Sequence, residues 1–503
     1  MIFKESKRII SLDTIVKVAH GSAKGLEQAL LAGDGQPGLT VLAVGHTTTG
    51  KVQGTSLGDG NVIEVFATGD DFSNGIVLYR EFMSLGEPIV FTGLTNGAII
   101  VSSEGFYGFS DNVNGNNESP MPLLSLGLSF KSTFVYCFRN STVFADNSVT
   151  NRMISNAGTI CVVNGPIEST IALKTGDGVV VEGQENIVLK PWQFYMLGTN
   201  ANAEYIIQSN NNIMACVFAH NGFYDCRLIM PLTNDGITWP RSGFVSAPYS
   251  NTLVKWNVQD GARSNDTSTI IVSPGSPIDL DAAIKTDSSG TGGTGASDSD
   301  YEIAGATRLR ATGLISAFSG ADSAGLEASP LMPTSAMSQV VAQPFPIARN
   351  GDGGNSCVSI SSPYKGTAKV YSWNDTTKSL DLKYTVPLVR TTNVTTRSHQ
   401  YDPCAGQIAV EGTASNQLVG TLNPGIIIAD VPITVILQSG STSSLVLRSQ
   451  NGSTASVIMM DDDESLSLGH TPENIRCEIR EDSNGLLRKR TIDNGGNESW
   501  PLA

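Results

Sequence analysis

The chain has 503 residues, of which 52 are glycine and only 16% are charged. This length exceeds what one hydrophobic core usually organises, so several domains are expected. With 32 Lys and Arg against 47 Asp and Glu, the net charge is −15, which repels nucleic-acid phosphates and anionic lipid headgroups on average. We therefore expect neither nucleic-acid binding nor membrane insertion, and the low charge favours packing against other proteins.

Residues 1–36 form an N-terminal segment in which Ser22 is a candidate cap for a short helix. The segment has no apolar run of signal-peptide length, so the sequence predicts synthesis in the cytoplasm without export. The seven cysteines of the chain show no regular spacing, which is typical of buried free thiols in a reducing compartment.

Beyond this segment the sequence has the pattern of an all-β protein. Short runs of Val, Ile, Thr and aromatic residues are separated by turn pairs such as Asp59-Gly60 and Asn164-Gly165, as in β-hairpins. Residues 475–490 alternate apolar and charged side chains around Asn484-Gly485, which predicts a hairpin near the C-terminus.

Two landmarks recur at intervals of about 100 to 120 residues, the size of a β-sandwich domain. One is an aromatic residue followed three positions later by Thr and then a strand; the aromatic residues are Phe130, Tyr249 and Tyr364. The other is a Met-Pro pair; the methionines are Met121, Met230 and Met332. The repeats predict four tandem β-sandwiches, arranged like beads that each have their own core. The predicted units are 37–125, 126–244, 245–348 and 349–445, followed by a C-terminal extension, 446–503.

Residues 45–51 match the first seven positions of a phosphate-binding P-loop and follow the apolar run 39–44. The position that should carry the magnesium-binding hydroxyl is Val52, and three of the next eight residues are glycine. Because a helix should begin there, a β-turn is the preferred interpretation. We predict no nucleotide cofactor.

Three groups of residues could bind a metal ion. Cys216, His220 and Cys226 are close in sequence, but on a strand positions 216 and 220 lie about 13 Å apart at ~3.3 Å per residue. A core thiol and an edge imidazole are therefore preferred to a zinc site. The acidic groups at 461–464 and 111–118 lack the alternating spacing of a calcium loop, so we expect solvated turns and no bound metal.

No catalytic residues are predicted. The chain has five histidines and no Gly-x-Ser-x-Gly elbow of a nucleophilic serine. Its acidic residues are so numerous that a pair with glycosidase-like spacing would occur by chance, so such a pair does not indicate catalysis. The best candidates for ligand contact are the aromatic residues Trp192, Phe194 and Tyr195, although a core strand is the preferred interpretation of this segment.

The sequence has a start without a signal, tandem Gly/Ser/Thr/Asn-rich β units, a low charge and a terminal hairpin. In these features it resembles the virion structural proteins of tailed phages, in particular particle proteins of marine cyanophages. The stretches 206–210 and 215–221 are also similar to a β-sandwich module of IgG-Fc-binding-type surface proteins, although the export signal and disulfide pattern of that family are missing. The first resemblance implies a virion component, and the second implies binding to a host surface.

These observations lead to three hypotheses. The first is a non-enzymatic virion subunit of a fibre, collar, baseplate or capsid decoration, whose partners are further copies of itself and other virion proteins. The alternative is an adhesin that binds a host-surface glycan through aromatic side chains. The second alternative is a polysaccharide-degrading enzyme.

Overall fold

The computed structural model describes most of the chain beyond residue 39. The described residues are 40–47, 49–110, 121–137, 159–199, 203–220, 224–238, 244–258, 269–279, 307–318, 330–343, 347–348, 357–389, 404–409, 421–438, 444–447 and six short strands between 457 and 499. The candidate helix after Ser22 and the Gly-rich stretch 287–295 lie outside them.

The protein is all-β, as predicted, and the described part before residue 448 consists of four repeats. The first repeat comprises β1 (Thr40–Ala43), β2 (Val52–Ser56), β3 (Asn61–Phe66), α1 (Gly69–Asn74), β4 (Tyr79–Met83), β5 (Pro88–Phe91), β6 (Ile99–Ser102), β7 (Phe106–Ser110), β8 (Met121–Pro122) and β9 (Leu124–Ser125), and a 3-10 turn, Leu126–Leu128, follows it. The second comprises β10 (Phe130–Cys137), β11 (Thr159–Asn164), β12 (Ser169–Thr175), β13 (Ile187–Leu189), β14 (Phe194–Gly198), β15 (Ala203–His220) and β16 (Tyr224–Leu228).

The third and fourth repeats have the same plan. The third comprises β17 (Thr233–Thr238), β18 (Phe244–Ser246), β19 (Thr252–Val258), β20 (Thr269–Val272), β21 (Ile278–Asp279), β22 (Thr307–Phe318) and β23 (Met332–Pro333), and a 3-10 turn, Thr334–Ala336, follows it. The fourth comprises β24 (Ser338–Gln343), β25 (Ile347–Ala348), β26 (Cys357–Ser362), β27 (Gly366–Asn374), β28 (Ser379–Leu388), β29 (Cys404–Ala409), β30 (Thr421–Leu422), β31 (Gly425–Gln438) and β32 (Ser444–Leu447).

The remaining strands follow the repeats. They are β33 (Val457–Met460), β34 (Leu466–Gly469), β35 (Ile475–Glu481), β36 (Leu487–Lys489), β37 (Thr491–Ile492) and β38 (Glu498–Ser499). The predicted C-terminal hairpin is confirmed, because β35 pairs antiparallel with β36 and Arg480 lies opposite Arg488.

Each repeat contains two antiparallel sheets, which we call its front and back sheets. In the first repeat the front sheet has the strand order β4-β3-β6-β1 and the back sheet β5-β2-β7-β8. In the other three repeats a single long strand, β15, β22 or β31, runs through the front sheet and continues into the back sheet. The matching front sheets are β13-β12-β15-β10, β20-β19-β22-β17 and β28-β27-β31-β24, and the back sheets are β14-β11-β15-β16, β21-β18-β22 and β29-β26-β31-β32.

A shared irregularity confirms that these three repeats are equivalent. The first strand of each repeat pairs with the long strand in a register that slips at the same place, so the long strand bulges where it changes sheet. The slips fall between Phe130 and Ser132, between Thr233 and Asp235, and between Ser338 and Val340.

The pairings assign two strands differently from the predicted units. β17 pairs with β22 of the third repeat and β24 with β31 of the fourth, although their residues fall in the predicted units 126–244 and 245–348. The aromatic landmark is also only partly equivalent. Tyr249 and Tyr364 both precede the strand that corresponds to β3, whereas Phe130 begins the first strand of its repeat.

The Met-Pro landmark needs a similar correction. The amides of Ile229 and Leu331 donate to equivalent carbonyl oxygens of the long strands, and the amide of Leu123 donates to the Gly108 carbonyl oxygen of β7, the matching strand of the first repeat. Met230 and Met332, which follow directly, therefore correspond to each other and to Leu124, three residues after Met121. All three methionines are nonetheless buried in one hydrophobic cluster.

The repeats pack against one another. The second and third repeats each have an interior core, but two further clusters cross repeat boundaries. One unites the interior of the first repeat with the fourth. The other, which we call the shared cluster, combines residues of the first three repeats, including Val41, Met214 and Ile237. The repeats are therefore joined by continuous apolar packing.

The interfaces follow one rule, in which the back sheet of one repeat covers the front sheet of another. Leu42 of β1 points into the first repeat, and its neighbours Val41 and Ala43 point outward into the shared cluster. That cluster also contains Cys161 and Met214 of the second repeat's back sheet. Because β1 is buried on both faces, its residues 41–43 are all apolar, where a half-exposed strand would alternate.

The same rule describes two more interfaces. Tyr107 on the back sheet of the first repeat is fully buried in the cluster that includes the fourth repeat, and the Thr55 hydroxyl donates to the Gln343 carbonyl oxygen at 3.5 Å. Between the third and second repeats, the Ser316 hydroxyl donates to the Phe134 carbonyl oxygen at 3.4 Å. These interfaces connect the repeats in the order third, second, first, fourth.

The front sheet of the third repeat, at one end of this order, is more polar. The position held by isoleucine in the other repeats (Ile99, Ile206 and Ile426) is Arg308 here. Its guanidinium bonds both carboxylate oxygens of Asp235, at 2.8 and 2.7 Å, and its side chain is 13% exposed. A polar face is typical of the terminal unit of a repeat array.

Candidate functional site

Trp192, the first of the candidate ligand-contact residues, is fully buried between two repeats. It lies between β13 and β14 with a left-handed backbone (φ 63°). Its ring meets Phe72 of the first repeat edge-on, with centroids 4.8 Å apart at 71°, and Phe72 meets Phe66 in the same way at 4.9 Å. This aromatic row anchors the second repeat to the first.

Helix α1 presents Phe72 to the tryptophan and has clear caps. The Thr68 hydroxyl accepts from the Asp71 amide at 3.2 Å, and Gly75 ends the helix in the left-handed conformation. Gly69, in the first turn, lies against the Trp192 backbone so closely that an added Cβ would overlap the tryptophan carbonyl oxygen. The helix and the tryptophan therefore fit only with glycine at this position.

The other two candidate aromatics point in opposite directions from β14. Phe194 pairs with Val163 and packs, partly buried, against the shared cluster, and Tyr195 packs against the interior core of the second repeat. The structure thus places Trp192, Phe194 and Tyr195 against two different cores and does not gather them on one exposed surface. Their positions agree with the interpretation as a core strand.

The P-loop-like residues 45–51 lead into a strand. β2 begins at Val52, where a nucleotide-binding helix would have to start. The turn is held by the Thr47 amide, which donates to the Asn96 side-chain oxygen at 2.8 Å, and by the Gly50 amide, which donates to the Thr47 hydroxyl at 3.0 Å. The described residues of this segment thus form a loop that leads into a strand, where a P-loop would lead into a helix.

Within the described residues, no group of three or more His, Cys, Asp or Glu side chains is arranged to hold a metal ion. Cys216 is fully buried on the outer face of the second repeat's back sheet, as expected for a core cysteine. The side chains of His220 and Cys226, and the acidic groups at 461–464 and 111–118, lie outside the described part of the chain.

One buried carboxyl group lies at the interface between the second and third repeats. Glu204 projects from the outer face of β15 and is only 9% exposed. Burial raises the pKa of this carboxyl above its ordinary value, and the neighbouring Ser246 hydroxyl of the third repeat partly lowers it. Burial is the larger effect because it disfavours the charged form.

The outer edges of the front sheets carry exposed apolar side chains that the sequence analysis did not single out. β4, β13 and β20 each pair with one described strand, and we call these three strands the rim. Phe82, Val188 and Ile271 occupy the same register on them and are 65%, 57% and 63% exposed. The common position could have been found by aligning the repeats on the hairpin that each rim strand forms with its partner, β3, β12 or β19, instead of on the two landmarks.

The corresponding edge of the fourth repeat is different. β28 carries Pro387 opposite Thr367, where the other repeats have the large apolar side chain. Proline on an edge strand discourages pairing with a further strand because it has no amide donor. The fourth repeat therefore has a protected edge, and the rim of the other three is open.

No helix in the described part of the chain has the length and apolar character needed to cross a membrane. The sequence matches no protein-family model and is not significantly similar to any curated protein.

Replacing Gly69 by alanine is expected to weaken the contact between the first two repeats. Gly69→Ala places a Cβ against the Trp192 backbone, which should cost about 1–3 kcal/mol through overpacking. Gly198→Ala is the matched control, because an added Cβ there meets nothing within 4 Å. Thermal unfolding followed by circular dichroism should show a lower midpoint for Gly69→Ala only; equal midpoints would contradict the close fit.

The Glu204 carboxyl predicts a defined pH dependence of stability. Since its pKa is raised in the folded protein, the native state binds the proton more tightly, and stability falls as the pH rises from the ordinary Glu value to the raised one. Glu204→Gln should therefore be more stable than the wild type at neutral pH and lose this advantage below about pH 4. Urea unfolding across pH 4–8, with the exposed Glu185→Gln as control, tests this, and a gain that persists in acid would contradict it.

Proposed function

We propose that this protein is a non-catalytic structural subunit that acts by assembling with other protein subunits. The rim supports this proposal most directly. Single exposed apolar side chains are common on protein surfaces, but here an apolar residue recurs at one register in three repeats. Repetition of the same exposed feature indicates a surface that contacts a partner at several equivalent points.

The internal architecture supports the same proposal. The front-on-back interfaces use apolar packing to join the four repeats, so a force or contact at one repeat is transmitted to the others through packed side chains. Rim strands with one free backbone edge are suited to strand addition, in which a partner strand completes the hydrogen bonding and covers the apolar side chains.

We further propose that the assembly is the particle of a tailed phage, with the chain serving in a fibre, collar, baseplate or capsid decoration. The support is the resemblance of the sequence to virion structural proteins, together with the all-β repeat architecture. On this proposal the partners are other copies of the chain and other virion proteins, and the protein is made in the host cytoplasm and resides in the virion.

Self-assembly through the rim predicts a multimer in solution. At micromolar concentration, size-exclusion chromatography with light scattering should give a mass several times that of one chain. The triple variant Phe82→Lys, Val188→Lys, Ile271→Lys should run as a monomer, because three buried charges would replace apolar contacts.

The matched control places three lysines at exposed apolar residues outside the strands: Ile76, Ile167 and Val179. This variant should keep the wild-type mass. A wild type that stays monomeric at all concentrations, or a control that dissociates as readily as the rim variant, would count against assembly through the rim.

The particle assignment predicts a location that electron microscopy can show. Gold-labelled antibody to this chain should decorate intact tailed-phage particles from an infected culture that expresses it, at one recurrent site such as the tail tip, collar or capsid surface. Labelling that remains in the soluble fraction after particles are purified would overturn the virion assignment.

A further inference from the structure

A cleft of about 340 Å³ opens between the first and fourth repeats. One wall is β5 with Gln53 of the neighbouring strand, and the other consists of Trp373, Asp375, Asn423 and Pro424. Its volume lies in the lower part of the range for small-ligand sites, roughly 300–1,000 Å³. Because each repeat supplies one wall, the cleft exists only where the two repeats pack together.

The wall from the fourth repeat is held rigidly by its own hydrogen bonds. The Trp373 amide donates to the Pro424 carbonyl oxygen at 2.7 Å, and the Trp373 indole donates to Oδ1 of Asp375 at 3.1 Å. The Ser372 hydroxyl donates to the Asn423 carbonyl oxygen at 3.1 Å. These bonds fix the loop positions of Asp375 and Asn423, so little ordering cost remains for a ligand that binds them.

Three polar side chains of the cleft retain unused hydrogen-bonding capacity. Among the described residues, the side-chain amides of Gln53 and Asn423 have no hydrogen-bond partner. Asp375 uses Oδ1 for the indole and for Lys378, 3.5 Å away, and its Oδ2 has no described partner. The cleft thus offers two amides, which donate and accept, and a carboxylate oxygen, which accepts.

The remainder of the lining is apolar. Pro88, Ile89 and Val90 line the β5 side, with Val90 51% exposed, and the Pro424 ring faces them from the fourth repeat. A ligand that fits must therefore combine clustered hydroxyl groups with an apolar C–H surface. It should carry no negative charge, because Asp375 is the acidic group of the lining and the chain has a net charge of −15.

We propose that this cleft binds one or two residues of a neutral saccharide. Vicinal hydroxyls would bond the Asp375 carboxylate and the amides of Gln53 and Asn423, and the C–H face of the sugar ring would pack on the proline and aliphatic side chains. The inference does not depend on the proposed assembly role, since the cleft lies within one chain and its lining does not include Phe82, Val188 or Ile271.

Saturation-transfer NMR on the full-length protein tests the proposal with maltotriose, cellotriose and chitotriose at millimolar concentration. At least one should receive saturation from the protein, and titration calorimetry should then give its dissociation constant. Asp375→Asn, Asn423→Ala and Gln53→Ala should each weaken binding about tenfold, the effect of losing one good hydrogen bond.

Asp59→Asn is the matched control, since Asp59 is an exposed carboxylate of the first repeat outside the cleft. It should leave the affinity unchanged, and the thermal midpoint of each variant shows that the fold is retained. Failure of all three sugars to bind, equal affinity in the cleft variants and the control, or tighter binding of 3'-sialyllactose than of the neutral sugars would overturn the proposal. None of these outcomes would alter the multimer mass that tests the assembly role.

Discussion

Burial of β1 and β6 on both faces is the constraint on which the rest of the structure depends. Alternate residues of these strands face the interior of the first repeat and the shared cluster, and almost none of their surface reaches solvent. Each aliphatic side chain buried in this way contributes roughly 1.5–3 kcal/mol. The first repeat therefore lies between two others, with the second repeat against its front sheet and the fourth against its back sheet.

This central position explains where a function can reside. Packing between repeats buries the broad sheet faces of the first repeat, and it also buries Trp192 of the second repeat. Among the described residues, the rim strands and the cleft beside β5 remain accessible to other molecules. Both arise from the edges of sheets, where backbone groups and side chains are not yet committed to a neighbouring repeat.

The interfaces also differ in polarity. The first repeat meets its neighbours through apolar side chains, and the contact between the second and third repeats includes the buried carboxyl of Glu204 beside Ser246. The third repeat carries Arg308, paired with Asp235, at the position where the other three repeats have isoleucine. A buried charge weakens an interface unless it is paired, and the raised pKa of Glu204 makes the contact between the second and third repeats sensitive to pH.

The sequence by itself determined the all-β class, the presence of four copies and the C-terminal hairpin, because strand patterning and turn residues are local signals. The landmarks Tyr249 and Tyr364 aligned correctly for the same reason. Only the tertiary structure decided the strand membership of β17 and β24, the burial of Trp192 and the apolar packing between repeats. It also brought Gln53 and Asn423 to opposite walls of one cleft. These features depend on which sheet faces pack against each other. An apolar strand has the same sequence pattern whether its second face is covered by its own repeat or by another.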